Sequence, residues 1–254
     1  MNCKAVITDL DRTLLRTDKT LSDYTAKVLR RVKEKDIKII AATARPKRSV
    51  IEYNDTVGFD ALVCLNGAEI ICGDTQEERC IPHNVAEKLL KDVCATGEYV
   101  ISAEISGVLY ANAVFPQWES VLYTDFPLLP KGSIHKLIFS YSDEALNVIR
   151  NALPDSLYCT VANKQLIQIM NKKATKLNGI SKVLNTFKIS PEEAIFFGDD
   201  NDDLEAIKTC GIGVAVQNAI PEVKAAADVV IGANDNDSVA EFLLNFFFND
   251  MNSQ

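Results

Sequence analysis

The feature that most constrains this chain is an alternation of short apolar runs with amphipathic stretches of roughly 10 to 15 residues, clearest at its two ends. Parallel strands need crossover connections, so the alternation predicts βαβ units around a parallel sheet. The first strand is expected at Ala5-Val6-Ile7-Thr8, and Ser22 is placed to cap the next helix, with Ala26, Leu29 and Val32 on one face. A second strand follows over Ile37 to Ala42. A third, Ala61 to Leu65, ends at the turn signal Asn66-Gly67, which leads into Glu69-Ile70-Ile71-Cys72 as a hairpin arm. After residue 174 the texture returns with a helix to Phe187 and strands at Ala194 to Phe197, Gly213 to Val216 and Asp228 to Ile231. Val239 to Phe248 forms the last helix.

The middle of the chain reads differently. A helical stretch, Val85 to Ala95, leads into strands around Tyr99 to Glu104, Val108 to Val114 and Ile134 to Tyr141. A helix from Glu144 to Leu153 and strands at Leu157 to Val161 and Gln165 to Met170 follow. Runs of strands with two helices predict a separate α+β unit, inserted rather than appended. The expected fold is therefore α/β, a Rossmann-like parallel sheet core over 1–81 and 174–254 with an inserted α+β domain at 82–173. A chain of 254 residues is long enough to bury both.

Composition narrows the function classes. Hydrophobic residues are 47% and charged residues 24%, which excludes wholesale disorder and fibrous architectures. The net charge is −8 with no long basic run, which argues against nucleic-acid and anionic-membrane partners. The seven cysteines, at 3, 64, 72, 80, 94, 159 and 210, are scattered and form no C-x-x-C pair, a pattern of reduced thiols in a cytosol. With His83 and His135 the two histidines, no Cys/His group has zinc-ligand spacing. The N-terminus turns acidic before a signal-peptide core develops, and no apolar run approaches the ~20 residues of a membrane helix. A cytoplasmic location is expected. Phe242, Leu243, Phe246 and Phe247 are expected to pack in a core, because their helix lacks the flanking Lys and Arg of an interfacial anchor.

Ligands of open α/β sheets bind beyond the carboxyl ends of the strands. There the first strand delivers Asp9-Leu10-Asp11-Arg12-Thr13, the second Thr43-Ala44-Arg45, and the strand at 194 to 197 delivers Gly198-Asp199-Asp200-Asn201-Asp202-Asp203. A single Asp at a strand end often caps a helix or closes a turn. Carboxylates gathered on one rim repel by several kcal/mol at low dielectric, which implies a bound cation or shared protons. Oxygen-only ligands point to Mg²⁺. An EF-hand reading of 199–210 fails, since its sixth position is Leu204 and its twelfth Cys210. No Walker A, G-x-S-x-G or helix-opening G-x-G-x-x-G sequence is present.

Together these motifs resemble the haloacid dehalogenase (HAD) superfamily, and within it the Cof-like sugar-phosphatase subfamily. Asp9-Leu10-Asp11-Arg12-Thr13-Leu14 matches its D-x-D-x-T motif, Ala42-Thr43-Ala44-Arg45 its A-T-G-R, and Asn66-Gly67-Ala68 its third-strand turn. Lys176 aligns with its loop-three lysine, Gly198-Asp199 through Asp203 with G-D-x-x-N-D, and Gly211 to Ala219 with the strand and turn after it. The resemblance implies a Mg²⁺-dependent phosphatase of small phosphorylated metabolites, sugar phosphates first, with a C2-type cap at 82–173. Asp9 is the implied nucleophile, forming an aspartyl phosphate, and Asp11 the general acid and then base. Asp9, the backbone carbonyl of Asp11, and Asp199 are the implied Mg²⁺ ligands. Leu10, Thr43, Ala44, Lys176 and Asp202 are the implied phosphate-binding positions.

A plainer reading of Lys176 places it with Lys172, Lys173 and Lys182 on a solvated face. Three departures from the family pattern stand out: Arg12 and Ala44 where it has Gly, and Asp202 where it has a phosphate-contacting Asn. An ionised Asp202 repels phosphate unless Asn201 substitutes for it or Asp202 turns to the metal. A phosphomutase on the same scaffold and a weakened phosphate-binding protein are the competing readings. A receiver-type signalling module fits poorly, because receivers are phosphorylated at the end of the third strand, where this chain has Asn66. Trp118, His83, His135 and Tyr110 could line the cap or lie in its core or surface.

Overall fold

Ala5–Thr8 (β1) is buried along its whole length and pairs in parallel on both sides, with Lys38–Ala42 (β2) and with Ala194–Gly198 (β12). The computed structural model describes residues 2–115, 118–126, 128–162 and 164–248. Around β1 the sheet runs in the order Val229–Val230 (β14), Ile212–Ala215 (β13), β12, β1, β2, Ala61–Cys64 (β3), Glu69–Cys72 (β4) and Thr75–Glu78 (β5). All pairings from β14 to β3 are parallel, and β4 returns antiparallel on β3. From β1 the chain builds outward to β2 and β3, then restarts on the other side with β12 and β13. The order in which strands are added therefore reverses between β1 and β12, where ligands of such sheets bind.

Apart from Glu78 at the end of β5, this sheet belongs to one compact unit, Met1–Glu77 with Thr175–Gln254. Its helices are Asp23–Lys33 (α1), Ile51–Val57 (α2), Lys176–Phe187 (α5), Leu204–Thr209 (α6), Pro221–Ala226 (α7) and Ser238–Phe248 (α8). Ser22 caps α1 as expected, its side chain accepting from the Thr25 N–H. The Phe-rich α8 packs against the core, with Phe242 edge-on to Phe197 at 5.4 Å between centroids. The turn after β3 is tight: Leu65, Asn66 and Gly67 all have positive φ. A Cβ on Gly67 would lie 2.3 Å from the Thr175 carbonyl oxygen, so only glycine fits there. The short α2, α6 and α7 had no sequence forecast, because six or seven residues carry too little periodicity to read.

The second unit, Glu78–Ala174, has its own core. His83–Cys94 (α3) and Asp143–Ala152 (α4) pack on a sheet ordered Leu157–Ala162 (β10), Leu166–Asn171 (β11), Ile134–Ser140 (β9), Ile101–Ile105 (β6), Val108–Ala111 (β7) and Val121–Leu122 (β8). Leu89, Leu90, Leu137, Phe139, Ile149, Ile167 and Ile169 fill the space beneath the helices. One expectation needs correction and one element is added. The strand expected over Val108 to Val114 stops at Ala111, and Val114 is 80% exposed. The two-residue edge strand β8 was not foreseen at all.

Candidate active site

Asp9 is the first residue beyond β1, and its N–H donates to the Phe197 carbonyl at 2.9 Å, so sheet pairing itself fixes its position. The chain then folds into a wide turn over Leu10–Leu14, closed by the Leu15 N–H on the Leu10 carbonyl at 2.8 Å. Within it Arg12 is left-handed, at φ 61°. That conformation costs an L-residue roughly 1 kcal/mol, a cost that glycine would not carry. Asn218 Nδ2 ties down the Arg12 carbonyl at 2.8 Å. The Leu10 side chain is fully buried in the core, which leaves its backbone to meet any ligand.

The end of β12 supplies the facing wall. Asp203 Oδ2 accepts from the N–H groups of Asp199 at 2.9 Å and Asp200 at 3.1 Å, which shapes the loop around a buried carboxylate. Gly198 makes this possible, since a Cβ there would meet Asp203 Cβ at 2.5 Å. Lys176 opens α5, capped by Thr175, and its Nζ donates to Asp9 Oδ1 and Asp203 Oδ1, each at 2.7 Å. At 4% exposure Lys176 is no part of a solvated face, whereas Lys172 and Lys173 are exposed and Lys182 pairs with Glu77. Thr13 Oγ1 donates to Asp199 Oδ1 at 3.0 Å from a buried position.

Asp9, Asp199 and Asp203 thus place three buried carboxylates around one buried ammonium. The imbalance shows in their proton affinities. Burial pushes the Asp9 carboxyl well up, against the pull of Lys176 and with the push of Asp203 and Asp199. Burial, then the charge of Asp203, pushes Asp199 up to about 7. The same electrostatics that raise these values favour a bound cation. Asp203 is saturated by Lys176 and two N–H groups. Asp9 Oδ2 and Asp199 Oδ2 accept no hydrogen bond among the described residues, so the donor set fits a hard, oxygen-loving cation held by Asp9 and Asp199.

Asp11 faces other partners. Arg45 grips its carboxylate with Nε at 2.6 Å and Nη2 at 2.8 Å, and Lys19 Nζ adds a contact at 2.8 Å. Burial raises its pKa, but the hydrogen bonds from Arg45 and Lys19 outweigh burial and lower it to about 2. Tyr53 braces this group, its hydroxyl accepting from Arg45 Nη1 at 3.2 Å and donating to the Lys19 carbonyl at 2.8 Å. Sequence reasoning missed the roles of Lys19 and Tyr53, which no motif marks; Arg45 was visible as the last letter of its motif.

Thr43 is buried beyond β2. Its N–H donates to the Val63 carbonyl and its Oγ1 accepts from the Arg45 N–H at 3.1 Å, so its own O–H remains for a ligand. Ala44 beside it is exposed. Asp202 accepts a hydrogen bond from Asn66 Nδ2, joining the turn after β3 to the loop after β12. Asn66 Oδ1 is buried with no partner among the described residues, so the amide is oriented by its Nδ2 bond to Asp202.

The comparisons with known proteins bear on family and fold. The chloroplastic endoribonuclease YBEY of Arabidopsis thaliana is 24% identical over 96% of this chain, which spans 46% of that protein, about half its length. The 5-amino-6-(5-phospho-D-ribitylamino)uracil phosphatase YitU of Bacillus subtilis is 26% identical over 94% of this chain and 96% of its own length. Among solved structures, a HAD subclass IIB sugar phosphatase superposes with a TM-score of 0.84 at 22% identity, covering 96% of this chain and 98% of the other, a likeness of fold. The haloacid dehalogenase-like hydrolase family profile matches residues 6–243, and the chain belongs to that family.

Proposed function

We propose that this hydrolase is a Mg²⁺-dependent phosphatase of small phosphorylated metabolites, sugar phosphates first, acting through an aspartyl phosphate on Asp9. The observation that carries the reading is the buried group of Asp9, Asp199 and Asp203 around Lys176, at the reversal point of the sheet. The names of the uracil-derivative phosphatase and the sugar phosphatase support a small phosphate ester as substrate.

Asp9 is the nucleophile. Lys176 orients the oxygen that attacks phosphorus as the P–O bond to the leaving group breaks, and the other oxygen would face the cation. Lys176 and the Thr43 hydroxyl donate to phosphoryl oxygens as charge shifts onto them. Asp9, Asp199 and the backbone carbonyl of Asp11 would hold Mg²⁺, which would supply positive charge to offset repulsion between an anionic nucleophile and an anionic substrate. Asp11 gives a proton to the leaving alkoxide and then takes one from the water that opens the acyl phosphate. The grip of Arg45 and Lys19 keeps Asp11 in the ionised form that the second step uses. The first step needs a proton on Asp11, so that grip has to loosen when substrate binds. The inserted unit is assigned the choice of leaving group.

One observation favours a second reading. Asp202 stands where the family has Asn, and a carboxylate there weakens phosphate binding, which suits a phosphate-binding protein of low turnover. Its hydrogen bond from Asn66 offsets part of that charge and leaves the phosphatase reading ahead.

The test is phosphate release from p-nitrophenyl phosphate and a panel of sugar, nucleotide and cofactor phosphates, with Mg²⁺ or with EDTA, comparing wild type and Asp9→Asn. Turnover that requires Mg²⁺ and disappears in the variant is the expected result. No turnover on any ester overturns the proposal.

A further inference from the structure

We propose that Glu78, Cys80 and His135, all in the inserted unit, form a second metal site of Zn²⁺ type, separate from the carboxylate group around Lys176. Linear spacing argued against zinc in this chain, yet strand pairing assembles a mixed N, S and O donor set that no motif could reveal.

The assembly follows from the backbone. Glu78 and Cys80 are two residues apart in an extended segment, so their side chains leave on the same side. The Ile81 N–H then donates to the Ile134 carbonyl at 2.7 Å in an antiparallel bridge, which makes Cys80 and His135 cross-strand neighbours. His135 is also the extra residue of a β-bulge: Lys136 pairs with Glu104 while Ile134 pairs with Ile105. Such bulges turn a side chain out of the regular alternation of a strand. Here the turn brings His135 Nε2 to 3.1 Å from Glu78 Oε1, and Cys80 Sγ lies 3.9 Å from Glu78 Oε2.

The three donor atoms lie within 4.8 Å of one another. A tetrahedral Zn²⁺ with bonds of 2.0–2.3 Å separates its ligands by roughly 3.3–3.7 Å, so the group closes around the ion with side-chain shifts of about an ångström. Neighbouring groups already hold it in place. Ser133 Oγ donates to Glu78 Oε2 at 2.7 Å, and Asn171 Nδ2 holds the Cys80 carbonyl at 2.8 Å. The His135 side chain is 3% exposed, and its Nδ1 has no partner among the described residues, so the ring's polar contact is made through this group. The partly exposed Glu78 leaves a route for the ion and a fourth position for water. Thiolate and imidazole select a borderline-soft ion and disfavour Mg²⁺. Binding deprotonates Cys80, and the thiol proton passes to solvent.

The experiment uses Co²⁺ as a spectroscopic stand-in for Zn²⁺, added to the full chain with excess Mg²⁺ present to occupy the carboxylate group. Wild type is expected to bind one Co²⁺ with a thiolate-to-cobalt charge-transfer band, and Zn²⁺ to displace it. The band should persist in Asp9→Asn and vanish in Cys80→Ser and His135→Asn. Far-ultraviolet circular dichroism checks that His135→Asn folds, and the exposed Glu78→Gln, expected to weaken the band, keeps the test decisive if it does not. No thiolate band in wild type, or one that survives in Cys80→Ser, overturns the proposal.

Discussion

The two units handle polar side chains in opposite ways. In the core unit, Asp9, Thr43, Asp199 and Asp203 lie just past strand ends, where the backbone leaves the sheet and its N–H groups are available, as those of Asp199 and Asp200 are to Asp203. In the inserted unit, Glu104, His135, Lys136 and Gln168 sit within strands, on a sheet whose other face carries α3 and α4. Strand ends are marked in sequence by an apolar run that stops, so chemistry placed there stands beside a readable boundary. Chemistry placed within a strand depends on cross-strand register, which one strand's sequence does not carry.

The sharpest way to break this comparison is Asp9→Asn. It should lower phosphatase kcat by at least about 10³-fold while leaving the fold intact, as steady-state kinetics and circular dichroism would show. Lys176→Met comes next, because it leaves Asp9 and Asp203 buried without their cation. It should abolish turnover and cost roughly 3–5 kcal/mol of stability in denaturant titration, whereas removal of exposed Lys172 should cost under about 0.5 kcal/mol.

Truncating the other unit's core by Leu90→Ala should cost about 2–5 kcal/mol, yet change Mg²⁺ affinity, measured by calorimetry, by less than about twofold. A loss of Mg²⁺ binding there would show that the two units do not divide the work as described. Asp202→Asn should have a smaller effect, raising kcat/KM up to about 10-fold by removing a charge near the phosphate while Asn66 keeps a partner.

The pH dependence of the metal-free protein sharpens the comparison further. Asp199 binds a proton more tightly folded, at about 7, than its ordinary 3.8. Its contribution is therefore full below about pH 4 and is lost as pH rises through about 7. Asp11, lowered to about 2, contributes stability above 3.8 that is lost as pH falls toward 2. Melting of the EDTA-treated protein should thus fall between about pH 4 and 7, and Mg²⁺ should remove that fall by binding ionised Asp199. A melting temperature that rises across this interval without Mg²⁺ would contradict the description of the site.

Much of the core was legible. The β1, β2, β3 and β12 runs are apolar on both faces apart from Thr8 and Lys38, and each ends in or within two residues of a motif. Lys176 was legible as a motif residue, but its choice between solvent and site was settled only by the bonds to Asp9 and Asp203. The orientation of Asp11 was not legible, because it depends on Arg45 from the end of β2 and on Lys19 and Tyr53, which lie outside every motif. Nor was the Glu78, Cys80 and His135 group, since a bulge in β9 decides where His135 points. Long-range register and irregular backbone, rather than residue type, separate what could be read from what could not.

The central claim is that Asp9 carries the phosphoryl group. Rapid acid quench of wild type turning over a substrate from the panel, followed by peptide mass spectrometry, tests it most directly. The expected result is a phosphoryl adduct on the peptide holding Asp9, absent from Asp9→Asn, with ¹⁸O from ¹⁸O-water recovered in the released phosphate in single turnovers. Turnover with no adduct at Asp9, or an adduct on another residue, would contradict it.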